Sequence, residues 1–199
     1  LTLPYLEPFA IRIMKEAGRQ VIDDALRHDI RAFCGQEAQH FKQHQRVNDL
    51  VHTAVDPGSA KRLRALEAEL AAELRELTST HDLRTRVAWV EGFEAMATAM
   101  AVTTFNKHLT QGWPAELRAM FEWHLLEELE HRDVSFRTYG HLFDGYLFRL
   151  RQQWWIQQHL RGWFLRFFGV LAEAMRPEWI HRFFVPSMLR KSALGILRG

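Results

Sequence analysis

The sequence of 199 residues predicts an all-α fold, and three observations carry that expectation. Apolar residues recur at 3.6-residue spacing through most of the chain, and no stretch reads as a strand. Gly and Pro are sparse and punctuate those stretches. One carboxylate–imidazole spacing is written twice, as Glu37-Ala-Gln-His40 and Glu128-Leu-Glu-His131. Residues three apart share one face of a helix, so each pair would present a carboxylate beside an imidazole.

Taken in order, a first helix is expected from about Pro8 to Arg27, since proline suits a first turn. A second runs from about Asp29 to Ala54 and stops before Asp56-Pro57-Gly58-Ser59. A third, near Ala60 to Leu77, carries Leu63, Leu66, Leu70, Leu74 and Leu77 on one face. It reads as a surface amphipathic helix with no chemistry on it. Thr78-Ser79-Thr80 separates it from a fourth, about Asp82 to Leu109, rich in Ala and Met and stopped by Gly112-Trp113-Pro114. The fifth is expected from about Ala115 to Thr138, before Gly140 and Asp144-Gly145. A long helix from about Tyr146 to Met175, a break at Arg176-Pro177 and a last short helix complete the chain.

Short connections make antiparallel neighbours, and the long segment between the second and fourth helices can cross over. The expected architecture is thus a ferritin-like four-helix bundle with a crossover helix and an extra C-terminal helical segment. Residues 1–145 would form the bundle, and residues 146–199 a basic, aromatic extension packed on the same domain.

Composition narrows the function. A formal net charge of +2 gives no global field that demands nucleic acid. The single cysteine, Cys34, rules out an internal disulfide framework and Cys-rich metal sites, and it reads as a small core hydrophobe. It suits a reducing, cytoplasmic compartment. No run of eighteen apolar residues exists to span a bilayer. Eleven histidines are many for such a chain, and imidazole is the commonest metal ligand.

On the second helix Glu37, His40 and His44 fall on one stripe, and on the fifth His124, Glu128 and His131 do the same. A dinuclear site in a bundle also needs a carboxylate from each of two further helices. Glu91 and Glu94 lie within the apolar run Val87 to Ala97, where an unpaired carboxylate is costly and is expected to meet a metal or a cation. Gly92 beside Glu91 would leave room. The first helix offers Glu7 or Glu16. Glu127 and Glu130 are out of phase with the histidine stripe and are expected to face away, although Glu94 or Glu127 could manage protons. Gln36 and Trp123 adjoin the stripes. Two metal ions follow, iron first, with manganese or zinc as alternatives. Iron would bring O₂ chemistry, whereas a redox-inert metal would polarise a carbonyl or phosphoryl group and lower the pKa of bound water.

Several blocks resemble a bacterial family of predicted metal-dependent hydrolases. Gln36-Glu37-Ala-Gln-His40, followed by His44 and Asn48, is similar to its QExxH…H…N stretch. Glu91-Gly-Phe-Glu-Ala95 resembles its EHxTA segment, and Trp123-His124-x-x-Glu127-Glu128-x-Glu130-His131 matches its WHxxEExEH block. Glu7-Pro-Phe9 is similar to the Glu-plus-aromatic segment of its first helix. The resemblance covers about residues 5 to 150. It departs at Gly92 and Glu94, where that family usually has His and Thr, which makes Glu94 a candidate replacement ligand. The resemblance implies a ferritin-like di-iron carboxylate bundle with Glu7, Glu37, His40, Glu91, Glu128 and His131 as core ligands and His44 and His124 added.

From Tyr146 onward arginines alternate with aromatics, including Trp154, Trp155, Trp163, Phe167, Trp179 and Phe183. That mixture suits peripheral contact with an anionic membrane, a homodimer interface, or a helix packed across the bundle. The leading expectation is an oxidase or oxygenase acting on an organic, lipophilic small molecule. The alternatives are a metal-dependent hydrolase and a non-catalytic metal-binding or membrane-associated protein.

Overall fold

The computed structural model describes residues 1–175. The expected last short helix, with Trp179 and Phe183, lies outside the described residues. All regular structure among the described residues is helical. The helices are α1 (Leu3–Gly18), α2 (Asp24–Ala54), α3 (Pro57–Thr80), α4 (Leu83–Asn106), α5 (Ala115–Glu130), α6 (Val134–Leu142) and α7 (Tyr146–Ala174). The fold is therefore an all-α helical bundle, as the periodicity requires.

Helix boundaries follow capping chemistry. Asp23, Asp56 and Asp82 accept hydrogen bonds from Leu26 N, Gly58 and Ser59 N, and Thr85 N, so each closes the first turn of its helix. Asp23 explains why the first break falls after Gly18 and not at His28. Pro4 takes the first-turn position expected of Pro8, which lies farther inside α1. The expected fifth helix is two helices, broken at His131-Arg132-Asp133. Gly145 opens α7 at φ +98°, a left-handed conformation that costs glycine little.

Side-chain contacts give the directions. Asn48 near the end of α2 donates to Leu1 O, while a Cβ on Gly18 would meet Ile30, so α1 and α2 are antiparallel. Gln36–Glu130, His40–Glu127, His44–His124 and Asp29–Arg137 run α2 against α5 and α6 in the opposite sense. Arg86 holds Glu16 through two hydrogen bonds of 2.7 and 2.8 Å, tying the start of α4 to the end of α1. Thus α1, α2, α4 and the α5–α6 pair surround one core of Phe9, Ile13, Phe33, Val87 and Phe93, among others.

The crossover helix α3 and the long α7 pack on the outside of this set. They pair antiparallel through Arg62–Glu173, Glu69–Arg166 and Glu73–His159. The inner face of α7 buries Ile156, Leu160, Trp163, Phe167 and Val170. α4 is buried almost continuously from Thr85 to Glu94 because helices cover it on several sides, which explains its lack of a polar face. Gly92 does not open room beside the ligands, as the sequence led us to expect. A Cβ there would lie 2.6 Å from Ile156 Cγ2 and 2.9 Å from Gln153 Cα, so the glycine lets α7 approach α4.

Candidate metal centre

Antiparallel α2 and α5 bring their two stripes face to face. On α2 the buried side chains Phe33, Glu37, His40, His44 and Asn48 recur at three- or four-residue steps, with polar and apolar members on the same inward face. Opposite them stand His124, Glu128 and His131, the last being the residue that caps α5. Glu37, His40, His124, Glu128 and His131 are all essentially inaccessible to water.

His131 Nε2 lies 3.2 Å from Glu37 Oε1, and His40 Nδ1 lies 3.3 Å from the same oxygen. His40 Nδ1 is also 3.9 Å from Glu128 Oε1. His124 Nε2 approaches Glu128 Oε1 to 3.4 Å. One donor atom from each of Glu37, His40, Glu128 and His131 falls within 4.8 Å of the others. Donors of Glu7, His40 and His124 meet the same limit, so His40 belongs to both groups. The cluster is held in place by edge-on rings, Phe33 against His131 at 4.9 Å and Trp123 against His40 at 5.1 Å.

The candidate residues separate into those that join this cluster and those that do not. Glu7 joins from α1, its Oε1 3.6 Å from His44 Nε2, whereas Glu16 is taken up by Arg86. Glu94 joins from α4, its Oε2 3.4 Å from His131 Nδ1. Glu91, one turn earlier, is directed instead at Arg149 of α7, 3.6 Å away. Glu127 does not face away as its phase implied, because its Oε2 is 2.8 Å from His40 Nε2. Its side chain retains 22 % exposure, unlike the rest of the cluster. Glu130 accepts a hydrogen bond from Gln36 at the surface.

Two residues outside the histidine stripes also matter. Arg149, one of the arginines that alternate with aromatics after Tyr146, pairs with Glu91 from across the helix interface. Glu67 sits on α3, the helix read as chemically empty, and is buried against Asn48 and His52 of α2. Its spacing from Leu63, Leu70 and Leu74 places it in the apolar stripe, and that phase was the available signal.

The orphaned atoms identify what this cluster is suited to hold. Both oxygens of Glu7, Glu37 and Glu94, Oε2 of Glu128, Nδ1 of His40, Nε2 of His124 and both nitrogens of His131 are buried without a hydrogen-bond partner. Buried polar groups are nearly always paired, and buried charges are paired or coordinate metals. A set of carboxylate oxygens and imidazole nitrogens converging in this way fits a divalent cation. The tautomers agree. Glu127 Oε2 can accept a hydrogen bond from a protonated His40 Nε2, which leaves Nδ1 free as a ligand. His44 Nε2, 3.2 Å from His124 Nδ1, can do the same for His124 and free its Nε2.

The electrostatics reflect crowding of like charges in a dry place. Burial, reinforced by Glu37 and Glu94, pushes the Glu7 carboxyl up to about 9. Burial raises Glu94 to about 7 and Glu128 well above the usual carboxylate range. Burial would raise Glu37 too, but the His131 and His40 imidazoles, 3.2 and 3.3 Å from its Oε1, outweigh it and bring that carboxyl to about 2. His131 is the counterpart: burial disfavours its charge, yet Glu37 and Glu94 hold it protonated up to about 10. Burial, with His40 nearby, depresses His44 to about 4 and His124 to about 2. Protons and one imidazolium thus balance the cluster when no other cation does so.

Neither the curated proteins nor the solved structures contain a match to this chain. A family model does match, over residues 1–198, and its description is a predicted metal-dependent hydrolase. The buried His/Glu cluster is of a kind that could hold the metal that description calls for. The chain belongs to the family of predicted metal-dependent hydrolases.

Proposed function

We propose that this protein is a metal-dependent hydrolase whose reaction takes place at a dinuclear centre inside a ferritin-like bundle. The observation that carries this reading is the set of orphaned buried donors on Glu7, Glu37, Glu94, Glu128 and His131. Glu37, His40, Glu128 and His131 would hold one ion, and Glu7 and His124 would favour a second beside it, the one free nitrogen of His40 going to a single ion. Glu94 is the α4 carboxylate of this site, and Glu91, paired with Arg149, stays outside it. Bound ions of this kind polarise a carbonyl or phosphoryl oxygen and lower the pKa of water.

The chain's own groups supply positioning and proton handling. Glu127 Oε2 holds the Nε2 proton of His40 and, being partly exposed, can pass a proton to solvent. Glu94, with Oε2 near His131 and Oε1 buried without a partner, is placed to accept a proton at Oε1. Trp123 and Phe33 pack against His40 and His131 and keep bulk water from the imidazoles. A small organic substrate is the expected partner.

A second reading, oxidative chemistry at two irons, draws on one observation. Four buried carboxylates from three helices and the α5 stripe form a donor set in which oxygen is prominent, which suits iron or manganese. The family's description weighs toward hydrolysis, and iron is the metal on which the two readings part.

Protein loaded with iron, manganese or zinc in turn should bind about two ions per chain. Glu37→Ala and His131→Ala should each remove most of that metal and lower turnover at least ~100-fold. Glu91→Gln should leave the stoichiometry intact. Ester or phosphoester turnover with manganese or zinc, without O₂ consumption, is the expected result. O₂ uptake by the iron(II) protein without hydrolysis would replace it with the oxidative reading. Failure to bind any of the three metals would overturn both.

A further inference from the structure

Among the described residues, the outer face of α7 is not used by the bundle. Its buried residues, Ile156, Leu160, Trp163, Phe167 and Val170, define one side. On the other, Leu147, Leu150, Trp154 and Leu165 follow at helical spacing and remain 78, 40, 67 and 60 % exposed. Arg151 and Arg161 stand among them, both exposed. From Leu147 to Leu165 this stripe extends about 27 Å along the helix. Gln158 and Arg161 take the steps between Trp154 and Leu165, so the row is apolar with polar side chains set into it, and an exposed row of this kind marks a contact surface.

Charge tells which surface it fits. No Asp or Glu occurs from Tyr146 to Ala172. The first acid, Glu173, is paired with Arg62 of α3. The α7 arginines that meet carboxylates, Arg149 with Glu91 and Arg166 with Glu69, do so toward the bundle. The outward face is therefore apolar and cationic, with Trp154 among its exposed side chains. The following residues continue the bias, with Arg176, Arg182, Arg190, Lys191 and Arg198 against one acid, Glu178. A second copy of the chain would bring this acid-free stripe against itself and set arginine near arginine, which an isologous contact disfavours. An anionic lipid surface satisfies both halves of the pattern, the arginines at phosphate level and the apolar stripe in the acyl boundary. No described helix is long and apolar enough to cross a membrane, so the contact would be lateral.

We infer that α7 lies flat on an anionic bilayer through Leu147, Leu150, Trp154 and Leu165, with Arg151 and Arg161 engaging lipid phosphates. The opposite side of the same helix is fastened to α4: Trp89 Nε1 donates to Gln152 Oε1 at 3.0 Å, and Gln157 Nε2 donates to Gly92 O at 3.1 Å. Docking α7 would hold α4, and Glu94 on it, at a fixed height above the lipid.

Flotation of the full chain with vesicles tests this, using phosphatidylcholine alone or with about one third phosphatidylglycerol. The expected result is binding to the anionic vesicles only, weakened by salt. Arg151→Gln and Arg161→Gln should each weaken it about fivefold. Trp154→Ser together with Leu147→Ser should weaken it tenfold or more, with unchanged far-UV dichroism and metal content showing that the bundle is intact. No binding to the anionic vesicles would overturn the inference. Binding that these variants leave untouched would place the contact in residues 176–199 and also overturn it. So would a doubled mass in solution that Trp154→Ser abolishes, which would assign the face to a second copy.

Discussion

Two polar clusters share helix α2, a few turns apart, and they are built on opposite principles. At Asn48 and His52 the buried polar side-chain atoms find partners, His52 Nδ1 excepted. Asn48 Nδ2 donates to Leu1 O at 3.0 Å and to Glu67 Oε1 at 2.9 Å, and His52 Nε2 lies 3.0 Å from Glu67 Oε2. Both oxygens of Glu67 have partners. At Glu37 and His40 the same residue types converge and leave most of their atoms unpaired. The first cluster is a clasp between α2, α3 and the start of the chain. The second is the set of donors proposed above to hold metal. Burial and residue type do not separate them, and the state of the hydrogen bonds does.

The sharpest way to test this contrast is to add metal. Manganese or zinc at a thousand times Kd should stabilise the protein by about 4 kcal/mol and raise its melting temperature, an effect that Glu37→Ala should remove and Glu67→Ala should keep. pH should act in opposite senses on the two forms. In the metal-free fold Glu7 keeps its proton up to about 9, while an unfolded chain releases it near 4.5. Its contribution is whole below 4.5 and is lost as pH rises through 9. His131, held to about 10 against an ordinary 6.5, has the same sign. Glu37 and His44 have the opposite sign, but they act below about 6.5. Melting with a chelator should therefore show stability falling between about pH 6.5 and 9. Metal affinity should rise over that window, because the ligands must lose the same protons. Parallel slopes in the two experiments would break the comparison.

Smaller effects sharpen it. Glu67→Ala strands His52 and Asn48 and should cost about 2–3 kcal/mol in urea unfolding with the metal content unchanged. Gly92→Ala gains helix propensity but forces Ile156 and the Gln153 backbone away. It should cost a net of about 1 kcal/mol and leave metal binding unaltered.

Much of the fold is legible in the sequence because each break carries its own chemistry, as Asp-Pro-Gly-Ser at 56–59 shows. The break at Arg19 to Asp23 is harder to see because its cap is one aspartate among several polar residues. The central stripe is legible too, since three-residue spacing on a helix fixes which side chains share a face. What spacing does not fix is the partner across an interface. Glu91 and Glu94 are equally apolar in context, and only the approach of α7 with Arg149 diverts one of them from the cluster. Glu127 shows the same limit. Its phase differs from His124 and Glu128, yet α2 passes close enough for His40 to reach it. The break after α5 leaves no strong trace at all, because Glu130-His131-Arg132-Asp133 contains neither Gly nor Pro.

That break makes the two Glu-x-x-His pairs mechanically unlike. Glu37 and His40 are carried by an uninterrupted helix of 31 residues, and neither can shift without dragging a rod. His131 occupies the joint itself, with φ −102° and ψ 12°, and α6 starts afresh three residues on. A small rotation there swings the imidazole while both flanking helices stay put. The first pair is thus fixed in one rod, and in the second only the His131 imidazole sits where the backbone can turn, Glu128 being held within α5. Amide exchange should register this asymmetry as slow protection at His40 and faster opening at Arg132 and Asp133.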